Sequence, residues 1–285
     1  MLSSGCADTL NEYGPTKATR EPLENCNRDN GRIVFSPLRP KIMASNFEIS
    51  EAYPSDADAI ASLFALSWLS PFTRLQFGQV DPAHLATSMA PRIAEQIVKV
   101  NSRFMVARDK KTRSVAAVAQ WTVPTGQKPD SEVEEAKEDS EERQQFEDEA
   151  YRRSLPDSSN KDLIMAFTLG LRQLRVDTLQ GRQHFLLENL ATHPDHRGLG
   201  LARRLVEWAS SLADEQQVLV YLDTASDNPA ARLYRKLGFE EQGRNTIEDL
   251  SKYASIDSIN DLGCGTEHTH VAFLRFPRAV TNTST

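Results

Sequence analysis

The sequence predicts a mixed α/β (α+β) fold, and three observations carry that expectation. Residues 103–108 and 114–123 are two apolar strand candidates joined by the loop 109–112, an antiparallel hairpin pattern. Residues 184–213 read as a strand, a glycine-bearing loop and an amphipathic helix. Residues 218–240 then read as strand, short helix and strand, and a last strand follows at 270–276.

The elements follow in chain order. Residues 1–45 scatter Pro, Gly, Asn and Ser without periodicity and are expected to form a mobile leader, with 33–38 as its one segment apolar enough to dock. The stretch from Phe47 to Ala52 alternates like a half-buried strand. Ser55 is placed as the N-cap of a helix with Asp58 at its third position, followed by Ile60, Leu63, Phe64 and Trp68 at helical spacing. A second helix is expected over 82–100, where Leu85, Met89, Ile93, Ile97 and Val100 recur on one face. After the hairpin, 124–182 reads as an insertion. Its first part is acidic, and its second part regains helical spacing at Leu163, Ile164, Phe167, Leu171 and Leu174. The acidic part is read as a solvated face; the sharper alternative is a lid with Phe146, Tyr151 and Phe167 as lining. In the helix 201–213, Leu201, Leu205, Trp208 and Leu212 share a face, and Gly238 closes the short helix 229–237. One domain over 46–278, with a tail at 279–285, is the expected organisation.

Composition narrows the function classes. The chain of 285 residues has a formal net charge of −7 and is 39% hydrophobic. Residues 130–149 hold eleven acidic residues against Lys137 and Arg143, so the net negative charge belongs to that segment, and no basic stripe suggests a nucleic-acid partner. No apolar run is long enough to span a bilayer, and 1–30 lacks an apolar signal core, so a cytoplasmic address is expected, with a nuclear one also compatible. Cys6, Cys26 and Cys264 are too scattered for a disulfide framework. Cys264 with His268 and His270 lacks the second cysteine pair of a zinc pattern, so no metal is expected.

The chemistry concentrates in residues 187–202, LENLATHPDHRGLGLA. The opening turn of a helix presents unpaired N–H groups and the positive end of its dipole. Gly198 and Gly200 let the backbone approach a ligand, and Arg197 adds a positive charge. Together they form a site for phosphate or pyrophosphate. Gly200-Leu201-Ala202 lacks the Lys-Ser/Thr ending of a P-loop, and two late glycines do not make a dinucleotide fingerprint.

This segment resembles the GNAT superfamily of N-acetyltransferases, whose central motif is Arg/Gln-x-x-Gly-x-Gly/Ala. It stands here as Arg197-Gly198-Leu199-Gly200-Leu201-Ala202. A second hallmark stands as Leu233-Tyr234-Arg235-Lys236-Leu237-Gly238-Phe239. The resemblance implies a central, mostly antiparallel twisted sheet, splayed at the acyl-CoA site, with helices on both faces. It implies that Arg197, Gly198, Leu199, Gly200, Leu201 and Ala202 hold the coenzyme A pyrophosphate, and that Leu190, Ala191 and Thr192 bind the pantetheine and polarise the acetyl carbonyl. Asn228, or Asp227 beside it, would contact the pantetheine arm. Tyr234 would be the general acid that protonates the departing thiolate, and Glu188 the base, with His193 and His196 as lesser candidates. The implied reaction is direct acetyl transfer from acetyl-CoA to a primary amine of a small molecule or peptide. The competing expectation is a non-catalytic acyl-CoA-binding sensor or scaffold. The acceptor is expected to be selected by 67–77 and the insertion; a homodimer is left open.

Overall fold

The structure is a computed structural model that describes residues 46–124 and 135–278, with the side chains of 135–142 left aside. The leader 1–45 with Cys6 and Cys26, the segment 125–134 and the tail 279–285 lie outside the described residues.

Seven strands form one sheet in the order β1-β2-β3-β4-β5-β7-β6. They are β1 (Phe47–Glu51), β2 (Ser102–Asp109), β3 (Val115–Thr122), β4 (His184–Thr192), β5 (Leu219–Ala225), β6 (Glu240–Ile247) and β7 (His268–Arg275). Every adjacent pair is antiparallel except β4 with β5, which is parallel. The helices are α1 (Ala57–Ser67), α2 (Pro71–Phe77), α3 (Pro82–Ile97), α4 (Glu135–Ser154), α5 (Lys161–Leu179), α6 (Leu201–Gln216), α7 (Ala231–Lys236) and α8 (Ile256–Leu262).

Side-chain alternation splits the sheet into two apolar faces. On the first, Trp121, Phe185, Leu187, Val220, Leu222 and Phe273 pack beneath Leu201, Leu205, Val206 and Ala209 of α6. On the second, Phe104, Val106 and Val118 meet Ile60, Phe64 and Ile93 of α1 and α3. Further along that face, Leu186, Tyr221, Ala272 and Leu274 meet Leu174 and Leu179 of α5. Each fully buried side chain of this kind contributes about 1.5–3 kcal/mol, so the two layers fix which way every strand residue points.

Local chemistry explains where the helices begin. Ser70 accepts the Thr73 N–H at 3.1 Å, with Pro71 in the first turn of α2. Asp81 does the same for Ala83 at 3.2 Å in α3. Asn160 accepts the Leu163 N–H at 3.2 Å and donates to the Tyr253 carbonyl at 2.8 Å, tying the start of α5 to the β6–β7 connection.

The expected cap at Ser55 is not formed. Residues Pro54–Asp56 make a 3-10 turn that leads into α1. Asp56 is committed elsewhere: its carboxylate takes two hydrogen bonds from buried Arg108, at 3.0 and 2.6 Å, and one from the Tyr53 N–H at 2.8 Å. Asp56 thus ties the turn to a strand 52 residues away while also accepting the local Tyr53 N–H. The helix expected over 82–100 stops at Ile97. The short helices α2 and α8 were not separated from loop by periodicity, because seven residues span only two turns.

Residues 143–154 of α4 carry the described part of the acidic segment. Asp148 receives two hydrogen bonds from Arg172 of α5, at 2.8 and 2.6 Å, and Arg152 donates to Asp162 at 2.6 Å. Phe146 is 66% exposed, whereas Phe167 of α5 packs edge-on against Phe72 and His270.

Candidate active site: a parted strand pair beside an open helix start

The ladder between β4 and β5 contains three pairs, His184 with Leu219, Phe185 with Val220 and Leu186 with Tyr221, and then ends. Beyond that point β4 stays with β3 as far as Thr192, and β5 stays with β7 as far as Ala225. The two strands therefore part, and the facing edges of 187–192 and 222–225 have no ladder partner. Unpaired backbone groups at such an edge are costly to bury and are available to a ligand.

A bulge in β4 sets the side chains. Gln120 of β3 pairs with Asn189, but Trp121 pairs with Leu187, so Glu188 is the extra residue. Leu187 and Leu190 lie against the α6-side core, and Ala191 against the opposite one. Glu188 and Asn189 thus both face the side of α1 and α3. The hydrogen bonds agree: Gln120 donates to Glu188 at 3.1 Å and accepts from Asn189 at 2.9 Å. Gln120 also donates to Gln96 of α3 at 3.2 Å, and the Thr122 hydroxyl donates to Glu188. These polar partners were invisible in the sequence, since nothing local links Gln96, Gln120 and Thr122 to Glu188.

At the end of β4 the chain turns into α6. Gly198 and Gly200 have φ of +77° and +75°, the left-handed region that side-chain-bearing residues avoid, and a Cβ at either would meet nothing within 4 Å. Gly200 is the N-cap of α6 and offers no side-chain cap. The N–H groups of Gly198, Leu199, Gly200, Leu201, Ala202 and Arg203 find no acceptor among the described residues. Arg197 is exposed beside them, while Leu201 is buried and anchors the helix start in the core. A run of unsatisfied amides at the positive end of a 16-residue helix, with open space over two glycines, fits a diphosphate. The cosubstrate therefore fits the residues present.

The loop histidines have supporting roles. His193 accepts the Asp195 N–H at 3.3 Å and caps a 3-10 turn, and His196 packs edge-on against Phe47 at 5.3 Å. Asn228 is engaged internally: it donates to the Thr224 hydroxyl at 2.8 Å and accepts from the Ala230 N–H at 2.9 Å. It shapes the turn into α7, while Asp227 is exposed.

Tyr234 of α7 is 5% exposed and lies in the α6-side core, with ring contacts to Phe239 at 6.0 Å and Phe273 at 6.2 Å. Its hydroxyl makes no hydrogen bond among the described residues. Burial, with the Asp223 carboxylate as a second cause, raises the phenol above its ordinary pKa, so it holds its proton at neutral pH. Tyr234 belongs to the layer of α6, and Glu188 to the opposite layer. The two candidate groups thus lie on opposite faces of the sheet.

Among the described residues no group of three His, Cys, Asp or Glu is placed to hold a metal ion, and no helix is long and apolar enough to cross a membrane.

Comparison with known proteins agrees with this geometry. Residues 166–241 match the family model of the acetyltransferase (GNAT) domain. The peptidyl-lysine N-acetyltransferase YjaB of Escherichia coli (strain K12) is 38% identical over 66 residues, which cover 23% of this chain and 43% of that protein. The chain thus matches less than half the length of this curated relative. An agmatine N-acetyltransferase structure, in a mutant apo form, aligns with a TM-score of 0.53 at 13% identity, covering 81% of this chain and 99% of that one. Arylalkylamine N-acetyltransferase 2 from Aedes aegypti aligns with a TM-score of 0.52 at 14% identity, covering 82% and 100%. At these identities the two structures speak to the fold alone, and they share it across nearly all of their own length. By that fold, and by the sequence of residues 166–241, the chain is similar to the GNAT N-acetyltransferases.

Proposed function

We propose that the protein transfers an acetyl group from acetyl-CoA to a primary amine of a small molecule or peptide. The observation that carries this reading is the parting of β4 from β5 after Leu186 and Tyr221, next to the unsatisfied amides of 198–203. The diphosphate sits on those amides, with Arg197 adding charge. The pantetheine extends the unpaired edge of β4 at Leu190, Ala191 and Thr192, and a backbone N–H there polarises the thioester carbonyl. The acceptor enters from the opposite face. The name of the partial relative, a peptidyl-lysine N-acetyltransferase, supports an amine as acceptor.

In this mechanism Glu188 takes a proton from the acceptor ammonium, because only a neutral amine carries the lone pair that attacks. The bonds from Gln120 and Thr122 hold its carboxylate toward that side. Tyr234 gives its proton to the departing thiolate.

The test is thiol release from acetyl-CoA with agmatine, a 2-arylethylamine and a lysine-containing peptide. Turnover with at least one amine is expected. Glu188→Gln, which keeps the shape and one acceptor oxygen, should lower kcat about 10²-fold or more with little change in acetyl-CoA affinity. Tight acetyl-CoA binding without turnover on any amine would favour a non-catalytic acyl-CoA-binding domain.

A further inference from the structure

A protonated primary amine gives up two protons on becoming an amide. Glu188 accounts for the one that leaves before attack. The second leaves the nitrogen after the N–C bond has formed, so the wall opposite Glu188 also bears on the chemistry.

That wall is β5 with β7. Val220 and Leu222 point into the α6-side core, while Tyr221 points to the α5 side. Asp223, two residues after Tyr221, therefore shares the α5 side. On β7, Val271 and Phe273 face α6 while Ala272 and Leu274 face α5, which puts His270 on the α5 side too. The register places Ala225 opposite His270 and Asp223 opposite Ala272, both past the point where β4 has left. Asp223 and His270 thus lie on the same face of the sheet as Glu188, Asp223 on the strand across the opening and His270 on the strand beside it.

The two side chains meet. His270 Nδ1 lies 3.4 Å from Asp223 Oδ1. Their side chains are 16% and 13% exposed, so both are largely enclosed without being sealed. Phe167 of α5 holds the imidazole edge-on at 4.8 Å, and His268 lies 5.2 Å away on the same strand. His268 is kept neutral, with its pKa lowered to about 4 by burial and by His270. Asp223 is the charged group paired with the imidazole. Arg175 of α5 stands 3.8 Å from its other oxygen, and Tyr221 lies beneath Arg175. Asp227 acts on His268, and Asn245 is the β6 residue opposite His270.

We infer that His270, oriented by Asp223, is the proton acceptor for the acetylated nitrogen. This rests on the acetyl-transfer reading above and completes it. The lone pair of the neutral amine forms the N–C bond, and the carbonyl electrons move onto oxygen. His270 Nε2 takes the remaining excess proton from the nitrogen. The carbonyl then re-forms, the C–S bond breaks with its electron pair on sulfur, and sulfur takes the Tyr234 proton. Of the two protons now on Glu188 and His270, one restores the phenol and one goes to solvent. Asp223 is a positioning residue: with its carboxylate on Nδ1, it presents Nε2 as the free lone pair.

The experiment uses the full chain, acetyl-CoA and whichever of the three amines is turned over. His270→Gln is expected to lower kcat about 10²-fold, to leave acetyl-CoA affinity within about threefold, and to remove one limb of the kcat–pH profile. Asp223→Asn is expected to lower kcat roughly 10–10²-fold, because the carboxylate no longer holds Nδ1 and the ring loses its orientation. Asp223→Glu should restore part of the rate. A folded His270→Gln protein with unchanged kcat and profile would overturn the dyad while leaving the enzyme reading intact. If His270→Gln does not fold, an unchanged kcat in Asp223→Asn overturns it. A wild-type protein that binds acetyl-CoA yet acetylates none of the amines would sink both readings together.

Discussion

Replacing Tyr234 with phenylalanine is expected to lower kcat by roughly 10²–10⁴-fold, the range over which a positioned proton donor acts, while the KM for acetyl-CoA stays within a few fold. The expectation follows from what the substitution leaves intact. The ring fills its place between Phe239 and Phe273, and the hydroxyl has no hydrogen-bond partner among the described residues to lose. Stability should therefore change little. What disappears is one O–H, kept protonated by burial in the α6-side layer. Steady-state thiol release, with acetyl-CoA binding measured in parallel, checks this. A variant that turns over at the wild-type rate would return Tyr234 to the role of a packing aromatic.

Asp214→Ala carries the largest expected effect on stability, about 3 kcal/mol. Asp214 lies near the end of α6 and receives two hydrogen bonds from Arg275 of β7, at 2.8 and 2.6 Å, and a third from the Arg278 N–H at 2.7 Å. The Arg275 side chain is only 4% exposed, so removing its partner strands a buried charge. For a domain of this size that corresponds to a Tm roughly 6–12 °C lower. The Arg275 hydrogen bonds hold the Asp214 carboxyl below its usual range. A depressed carboxylate stabilises the fold at every pH above its unfolded value near 3.9, and that contribution fades as the pH falls through the folded value. The gap between wild type and variant should be full at pH 7 and narrow only below about pH 4. Thermal melts across that range measure it; a constant gap down to pH 3 would contradict the assignment.

What could be read from the sequence depended on range. The strand–glycine–helix unit at 184–213 was legible because its signals are local: a β run, two glycines that take positive φ, and a 3.6-residue apolar stripe starting at Leu201. The tyrosine helix was legible for the same reason. Asp56 shows the opposite case. The local pattern places a cap at Ser55, and nothing in it shows that Asp56 pairs with Arg108 across the sheet. The site divides in the same way. The resemblance offered Glu188 as a candidate base, but the bulge that turns it and Asn189 to one face depends on pairing with β3. Asp223 and His270 went unread because they become neighbours only through the β5–β7 register, and His270 had been weighed solely as a metal ligand beside Cys264.

The central claim is that the backbone of 198–203 holds a diphosphate while the parted edge of β4 holds the thioester arm. Amide NMR of the wild-type protein titrated with coenzyme A, and separately with pantetheine, tests it most directly. Coenzyme A is predicted to shift the N–H resonances of Gly198 to Arg203 together with those of Leu187 to Thr192, and pantetheine to shift only the second group. Saturable binding that leaves both groups unmoved, or that moves residues of α4 and α8 instead, would contradict the account.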